Sequence, residues 1–95
     1  MNIKELFKKV EITNEILKIS TNQYQQKEVK VYLNMDYKTI AFDNYKEYLK
    51  FLKEEYFEEV VEIMKNVEVI ANTWQEIKYI DILGNEEEIK FSFEI

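Results

Sequence analysis

The stretch from Glu87 to Ile95 places the strongest constraint on the fold: Ile89, Phe91, Phe93 and Ile95 alternate with Glu88, Lys90, Ser92 and Glu94. Strict alternation marks a strand with one face in a core and the other in water. A lone strand cannot bury that face, so the chain needs a sheet and a layer to cover it. Gln75 to Leu83 reads as the partner strand, with Gly84-Asn85 between them as a two-residue hairpin signal. A two-residue turn sets Lys78 opposite Phe91, whereas a three-residue loop pairs Tyr79 with Phe91 and Ile77 with Phe93. Turn chemistry favours the first and the apolar pattern the second, so the register is open.

Three earlier runs rich in β-branched and aromatic residues also read as strands: Ile16 to Ile19, Val29 to Leu33 and Thr39 to Phe42. In the middle run Val29, Val31 and Leu33 face one way and Lys30, Tyr32 and Asn34 the other. Ser20 to Gln26 is polar throughout and reads as a mobile loop, while Asn34-Met35-Asp36-Tyr37 is short enough for a hairpin. Val67 to Ala71 fits the end of a helix or a strand and leans to strand.

Two segments carry helical spacing. Asn2 and Glu5 stand at capping-box distance, and Ile3, Leu6, Phe7 and Val10 follow at i, i+3, i+4, i+7, which predicts a short N-terminal helix with Lys4, Lys8 and Lys9 outward. A helix of roughly two turns persists only when packed on something, here the sheet. After Asp43 or Asn44 as N-cap, Tyr45, Tyr48, Leu49, Leu52 and Tyr56 form one face; the stripe then shifts to Phe57, Val60, Val61 and Met64. The shift implies a kink or two consecutive helices joined near residues 54–57. The expected architecture is a single α+β domain over residues 1–95: a short N-terminal helix, an antiparallel three-stranded meander, a central acidic helix or helix pair, and a C-terminal β-hairpin.

Composition narrows function by what is missing. The chain has 95 residues, is 46% hydrophobic and carries a net charge of −6, with no Cys, His, Pro or Arg and one Gly. Without Cys there is no disulfide framework or thiol nucleophile; without His the commonest metal ligand and usual general base are absent. Thirteen basic residues, all Lys, face nineteen acidic ones, which argues against direct nucleic-acid binding. Abundant Lys, Ile, Asn, Tyr and Glu fit an AT-rich bacterial or phage genome. No signal-peptide run or spanning segment is evident, so the expected location is the cytoplasm of a bacterial host cell, with no membrane partner.

The most distinctive cluster is acidic: Glu54, Glu55, Glu58, Glu59 and Glu62 fall within nine residues of the central helix. On one continuous helix the pairs 54/58, 55/59 and 58/62 repel by about 0.2–0.5 kcal/mol each. A regular stripe of carboxylates imitates a phosphate backbone; the same stripe also fits a solvated face that keeps an acidic protein soluble. Glu86-Glu87-Glu88 either protects the hairpin edge or extends that surface. Paired-carboxylate catalysis needs groups on opposite sides of a cleft, and no calcium-loop spacing occurs, so no catalytic residue, cofactor or metal site is expected. Phe7, Phe42, Phe57, Phe91 and Phe93 lie on expected core faces, and Trp74 reads as a core plug rather than an interface residue. Tyr24, Tyr37 and Tyr56 are candidate interface anchors beside the carboxylates, with Asp36 next to Tyr37.

The opening Met1-Asn2-Ile3 with Leu6, the strand Leu17-Lys18-Ile19-Ser20, a polar loop, the alternating strand Val29 to Leu33, the strand around Ile40 and a long helix from Asp43 together resemble small phage-encoded anti-CRISPR proteins. The resemblance covers roughly residues 1–65 in element order; the final hairpin departs from members that end in a helix. It implies an inhibitor that occupies the DNA-binding surface of a CRISPR nuclease, with Glu54, Glu55, Glu58, Glu59, Glu62 and Asp36 facing its basic clusters. The expected function is thus a non-catalytic blocker of a basic nucleic-acid-binding protein, itself monomer or homodimer. The alternatives are an immunity or antitoxin-like protein that neutralises a basic toxin, and a self-associating structural module.

Overall fold

A computed structural model of the chain describes residues 1–20 and 28–95. The expected loop of residues 20–26 and the anchor Tyr24 lie largely outside them. The elements run α1 (Ile3–Ser20), β1 (Val31–Met35), β2 (Lys38–Phe42), α2 (Tyr45–Glu55), α3 (Glu58–Lys65), β3 (Gln75–Ile80) and β4 (Glu86–Glu94). The α+β class holds, with the three helices covering one face of a four-stranded antiparallel sheet.

The N-terminal helix is much longer than the apolar stripe suggests, and the expected strand at Ile16 to Ile19 is its last turn. The inward stripe continues through Thr13 and Asn14 to Leu17, so polar residues at two inward positions hide the helical period. Asn14 is there for a reason: its Nδ2 donates to Val29 O at 2.9 Å and its Oδ1 accepts from Val29 N–H at 2.7 Å. One amide thereby satisfies both backbone groups of the residue that leads toward β1. At the other end, Asn2 Oδ1 accepts from Lys4 N–H at 2.7 Å, the N-cap bond that the sequence anticipates.

The sheet order is β2-β1-β4-β3, so a three-stranded meander is not what forms. The β1–β2 hairpin is present, with Val31 opposite Phe42 and Met35 opposite Lys38. The third member of the expected meander belongs to α1, and its place beside β1 is taken by β4, with Leu33 opposite Phe93 and Met35 opposite Phe91. Val67 to Ala71 forms no full strand: Glu68 makes one bridge to Asn2, Ile3 N–H donates to Val67 O, and Val69 N–H donates to Met1 O.

The C-terminal hairpin forms in neither anticipated register. Ile77 lies opposite Ile89, Tyr79 opposite Glu87 and Ile80 opposite Glu86, with Asp81–Asn85 as the connection. Gly84 (φ +83°) does not open a two-residue turn; its N–H donates to Asp81 O. The Asp81 carboxylate takes the N–H groups of Leu83 and Asn85, both at 2.9 Å, and so stabilises a longer loop than Gly-Asn alone implies.

The core joins Ile3, Leu6, Phe7 and Val10 of α1, Tyr48 and Leu52 of α2 and Val60, Val61 and Met64 of α3 to Val31, Leu33, Phe42, Ile89, Phe91 and Phe93 of the sheet. Its centre is aromatic: Phe7 and Phe42 each stand 5.5 Å from Tyr48 between ring centroids, and Phe93 lies 6.0 Å away. Phe57 departs from the expected core and is 66% exposed, because it is the N-cap of α3 rather than an interior helical position. Trp74 is no core plug either; it stands just before β3 and is 55% exposed.

Candidate functional site

The central helical region is a helix pair. Tyr56 (φ −131°, ψ 157°) and Phe57 (φ −71°, ψ 161°) are both extended and separate α2 from α3. Asn44 caps α2, accepting from Glu47 N–H at 3.0 Å. The two extended residues swing the second apolar stripe inward, and the pair is locked by hydroxyls: Tyr48 donates to Met64 O at 2.7 Å and Tyr45 to Lys65 O at 2.8 Å. Both bonds satisfy carbonyls at the C-terminal end of α3, which have no partner inside the helix.

That break changes the acidic cluster. Glu54 and Glu55 end α2, whereas Glu58 and Glu59 occupy the first turn of α3. Of the three anticipated i, i+4 repulsions only 58/62 remains within one helix. Glu58 and Glu59 sit at a helix N-terminus, where negative charge is favourable, and Lys65 Nζ lies 3.9 Å from the Glu62 carboxylate. All five carboxylates are exposed, but they follow two helix axes rather than one regular stripe.

The break brings together a different arrangement. Tyr56 sits at the corner between helices and its hydroxyl lies 3.5 Å from Met35 Sδ. Asp36 and Tyr37 occupy the β1–β2 turn, with Tyr37 76% exposed and the Lys38 ammonium 5.3 Å from its ring centroid. A shallow groove is lined by Met35, Asp36, Tyr37, Tyr56, Tyr79 and Ile89, among others. The expected anchors Tyr37 and Tyr56 and the expected Asp36 therefore share one surface. None of the expected Glu54, Glu55, Glu58, Glu59 and Glu62 lines that groove.

Two phenols report on the charge around it. Burial, then the neighbouring Tyr37, Glu55 and Tyr79, push the Tyr56 hydroxyl up to about 12. Tyr79 is raised by desolvation first, then by the carboxylates of Glu87, Asp81 and Glu59. Acidic groups from α3, from the hairpin loop and from β4 thus act on one ring. Tyr79 and Glu87 belong to this surface and the sequence reading did not single them out together; the signal was the hairpin register, because a five-residue connection is what sets Tyr79 opposite Glu87.

On the opposite face of the sheet, cross-strand partners Glu76 and Lys90, and Lys78 and Glu88, alternate in sign. The Glu88 carboxyl is held below its usual range by a hydrogen bond with Glu76, then by Lys90 and Lys78. Among the described residues, no cluster of three carboxylates is placed to hold a metal ion, and no helix is long and apolar enough to cross a membrane. Comparison with protein-family models, with curated proteins and with solved structures finds no match to this chain.

Proposed function

We propose that this protein is a non-catalytic inhibitor that binds a basic, nucleic-acid-binding protein, of the kind a CRISPR effector represents, and keeps nucleic acid off its surface. The observation that supports the reading is the gathering of Asp36, Tyr37, Tyr56 and Tyr79 along one groove, with Glu55 next to Tyr56 in the chain and Glu87 opposite Tyr79 in the sheet. Carboxylates steer a partner of opposite charge and set its orientation, while rim charge alone contributes little affinity. Exposed tyrosines supply what carboxylates lack, a rigid contact area with a hydroxyl that can pair. Glu54, Glu58 and Glu62 then form an outer fringe that speeds encounter. A chain without Arg and with Lys outnumbered by acidic residues is suited to engage such a protein rather than its nucleic acid.

The test is capture of partners from the bacterial host at low and high salt. It compares the natural chain with Glu55→Lys/Glu59→Lys/Glu87→Lys and with a charge-matched control, Glu5→Lys/Glu11→Lys/Glu15→Lys, on the exposed side of α1. The expected outcome is a salt-sensitive partner lost only with the first triple variant. Equal capture by all three proteins would sink the reading. An immunity protein shares this charge logic, and a toxin nuclease recovered as the captured protein would select that reading instead.

A further inference from the structure

The order β2-β1-β4-β3 leaves β3 at the edge of the sheet, with no strand on its far side among the described residues. Exposed edges carry unpaired N–H and C=O groups and are usually blunted by charge, proline or a bulge. Here the edge reads Gln75-Glu76-Ile77-Lys78-Tyr79-Ile80, with no proline and no net charge. Trp74 precedes it and Ile80 ends it, 55% and 65% exposed.

The backbone phase identifies which groups are free. Asp81 N–H donates to Asn85 O at 2.9 Å, so the chain's odd positions, 81, 79, 77 and 75, turn their polar backbone groups toward β4. Glu76, Lys78 and Ile80 turn theirs to the open edge. A second strand can pair there only in registers that oppose even positions to even positions. Four two-fold registers overlap three or more residues of β3, and the one centred on Tyr79 overlaps only residues 78–80, setting Lys78 against Ile80 and giving neither Glu76 nor Lys78 a partner of opposite charge. Centring on Lys78 sets Lys78 against its own copy, and centring on Glu76 sets Glu76 against its own copy; both oppose like charges at the axis. Centring on Ile77 sets Glu76 against Lys78 twice, and Trp74 against Ile80 twice.

We propose that β3 pairs antiparallel with β3 of a second copy of this chain about a two-fold axis at Ile77, joining two four-stranded sheets into one of eight strands. In that register the charges of the open face continue across the junction without a break. Lys90 and Glu76 of one copy meet Lys78 and Glu88 of the other, alternating in sign. The two exposed apolar side chains at the ends of the edge each cover the other's counterpart. The odd positions oppose one another on the helix side, Ile77 against Ile77 and Gln75 against Tyr79, so both helical layers lie on the same side of the joined sheet. The inference stands on this edge alone and does not depend on the acidic surface or its partner.

The experiment is sedimentation velocity of the full chain from low concentration up to about 100 μM, where a dimer with a Kd of about 1 μM holds roughly nine-tenths of the chains. The natural protein should move from 11.6 kDa toward twice that mass as concentration rises. Lys78→Glu and Glu76→Lys should each stay at the monomer mass, since each opposes like charges in the Ile77 register. An equimolar mixture of the two should recover the doubled mass, because the mixed pair restores Glu against Lys at both positions. Ile80→Pro removes a donor only from the free edge, leaves the ladder to β4 whole, and should also be monomeric with an unchanged circular dichroism spectrum. A natural chain that stays at the monomer mass throughout would overturn the proposal. So would a Lys78→Glu or Ile80→Pro chain that dimerises as the natural one does, or a mixture of the two charge variants that fails to associate.

Discussion

Phe91 and Phe93 in the middle of β4 are fully buried, whereas Ile82 and Leu83, in the loop of the same hairpin, are among the most exposed apolar residues of the chain. In the middle, three helices cover the sheet, and every buried polar side-chain atom among the described residues has a hydrogen-bond partner. At the tip no helix covers the strands, and shape comes from the Asp81 carboxylate gripping two backbone N–H groups. One region is held by burial and the other by a local hydrogen-bonded turn. The first sets stability, and the second leaves side chains free to meet another molecule.

Substitutions in the two regions should differ widely in their cost. Phe93→Ala in the covered region should lower unfolding free energy by about 3–5 kcal/mol in denaturant titration, through lost transfer energy and the cavity left among Phe91, Tyr48 and Leu33. Asn14→Ala should lower it by about 1–3 kcal/mol, because both backbone groups of Val29 lose their partner. A pH effect comes next. Tyr56 has a folded-state value raised to about 12 against an ordinary value near 10, so its contribution is complete below pH 10 and is lost as pH rises from about 10 through 12. Tyr56→Phe should make the fall in stability over that window shallower, leaving the share that comes from Tyr45, Tyr48 and Tyr79, whose hydroxyls are raised in the same direction. In the hairpin, Gly84→Ala should cost about 1 kcal/mol, since Gly84 has a left-handed backbone and nothing lies near a new Cβ. Leu83→Ser should change stability by less than about 0.5 kcal/mol. A loss comparable to Phe93→Ala would show that the tip is covered after all.

The parts of this fold that the sequence made legible are those where one period runs uninterrupted. The apolar–polar alternation of β4 and the Tyr45-to-Leu52 stripe of α2 are of that kind. The length of α1 was hidden because Thr13 and Asn14 occupy inward positions, and because a four-residue run such as Ile16 to Ile19 fits either period. The break at Tyr56-Phe57 was legible as a one-position shift in the stripe, but its form was not. The hairpin register escaped because Gly84 serves a loop organised by Asp81, and turn residues report local conformation rather than which strands they join. The acidic residues of the candidate surface were visible as runs. The placing of Glu87 opposite Tyr79 was not, because it depends on the hairpin register.

The place of β4 between β1 and β3 also governs when the molecule can form. A chain emerging from the ribosome presents the β1–β2 hairpin, the helix pair and β3 before residue 94, yet the central strand that joins them is made after all of them. Until then Leu33 and Met35 have no neighbour on one side, and β3 has none at all. Contacts as distant as Tyr32 with Glu94 close slowly, and apolar surface stays open while they wait. Vectorial synthesis therefore holds this sheet in an unfinished state until residue 94 is available, and its assembly becomes a concerted event that waits for β4.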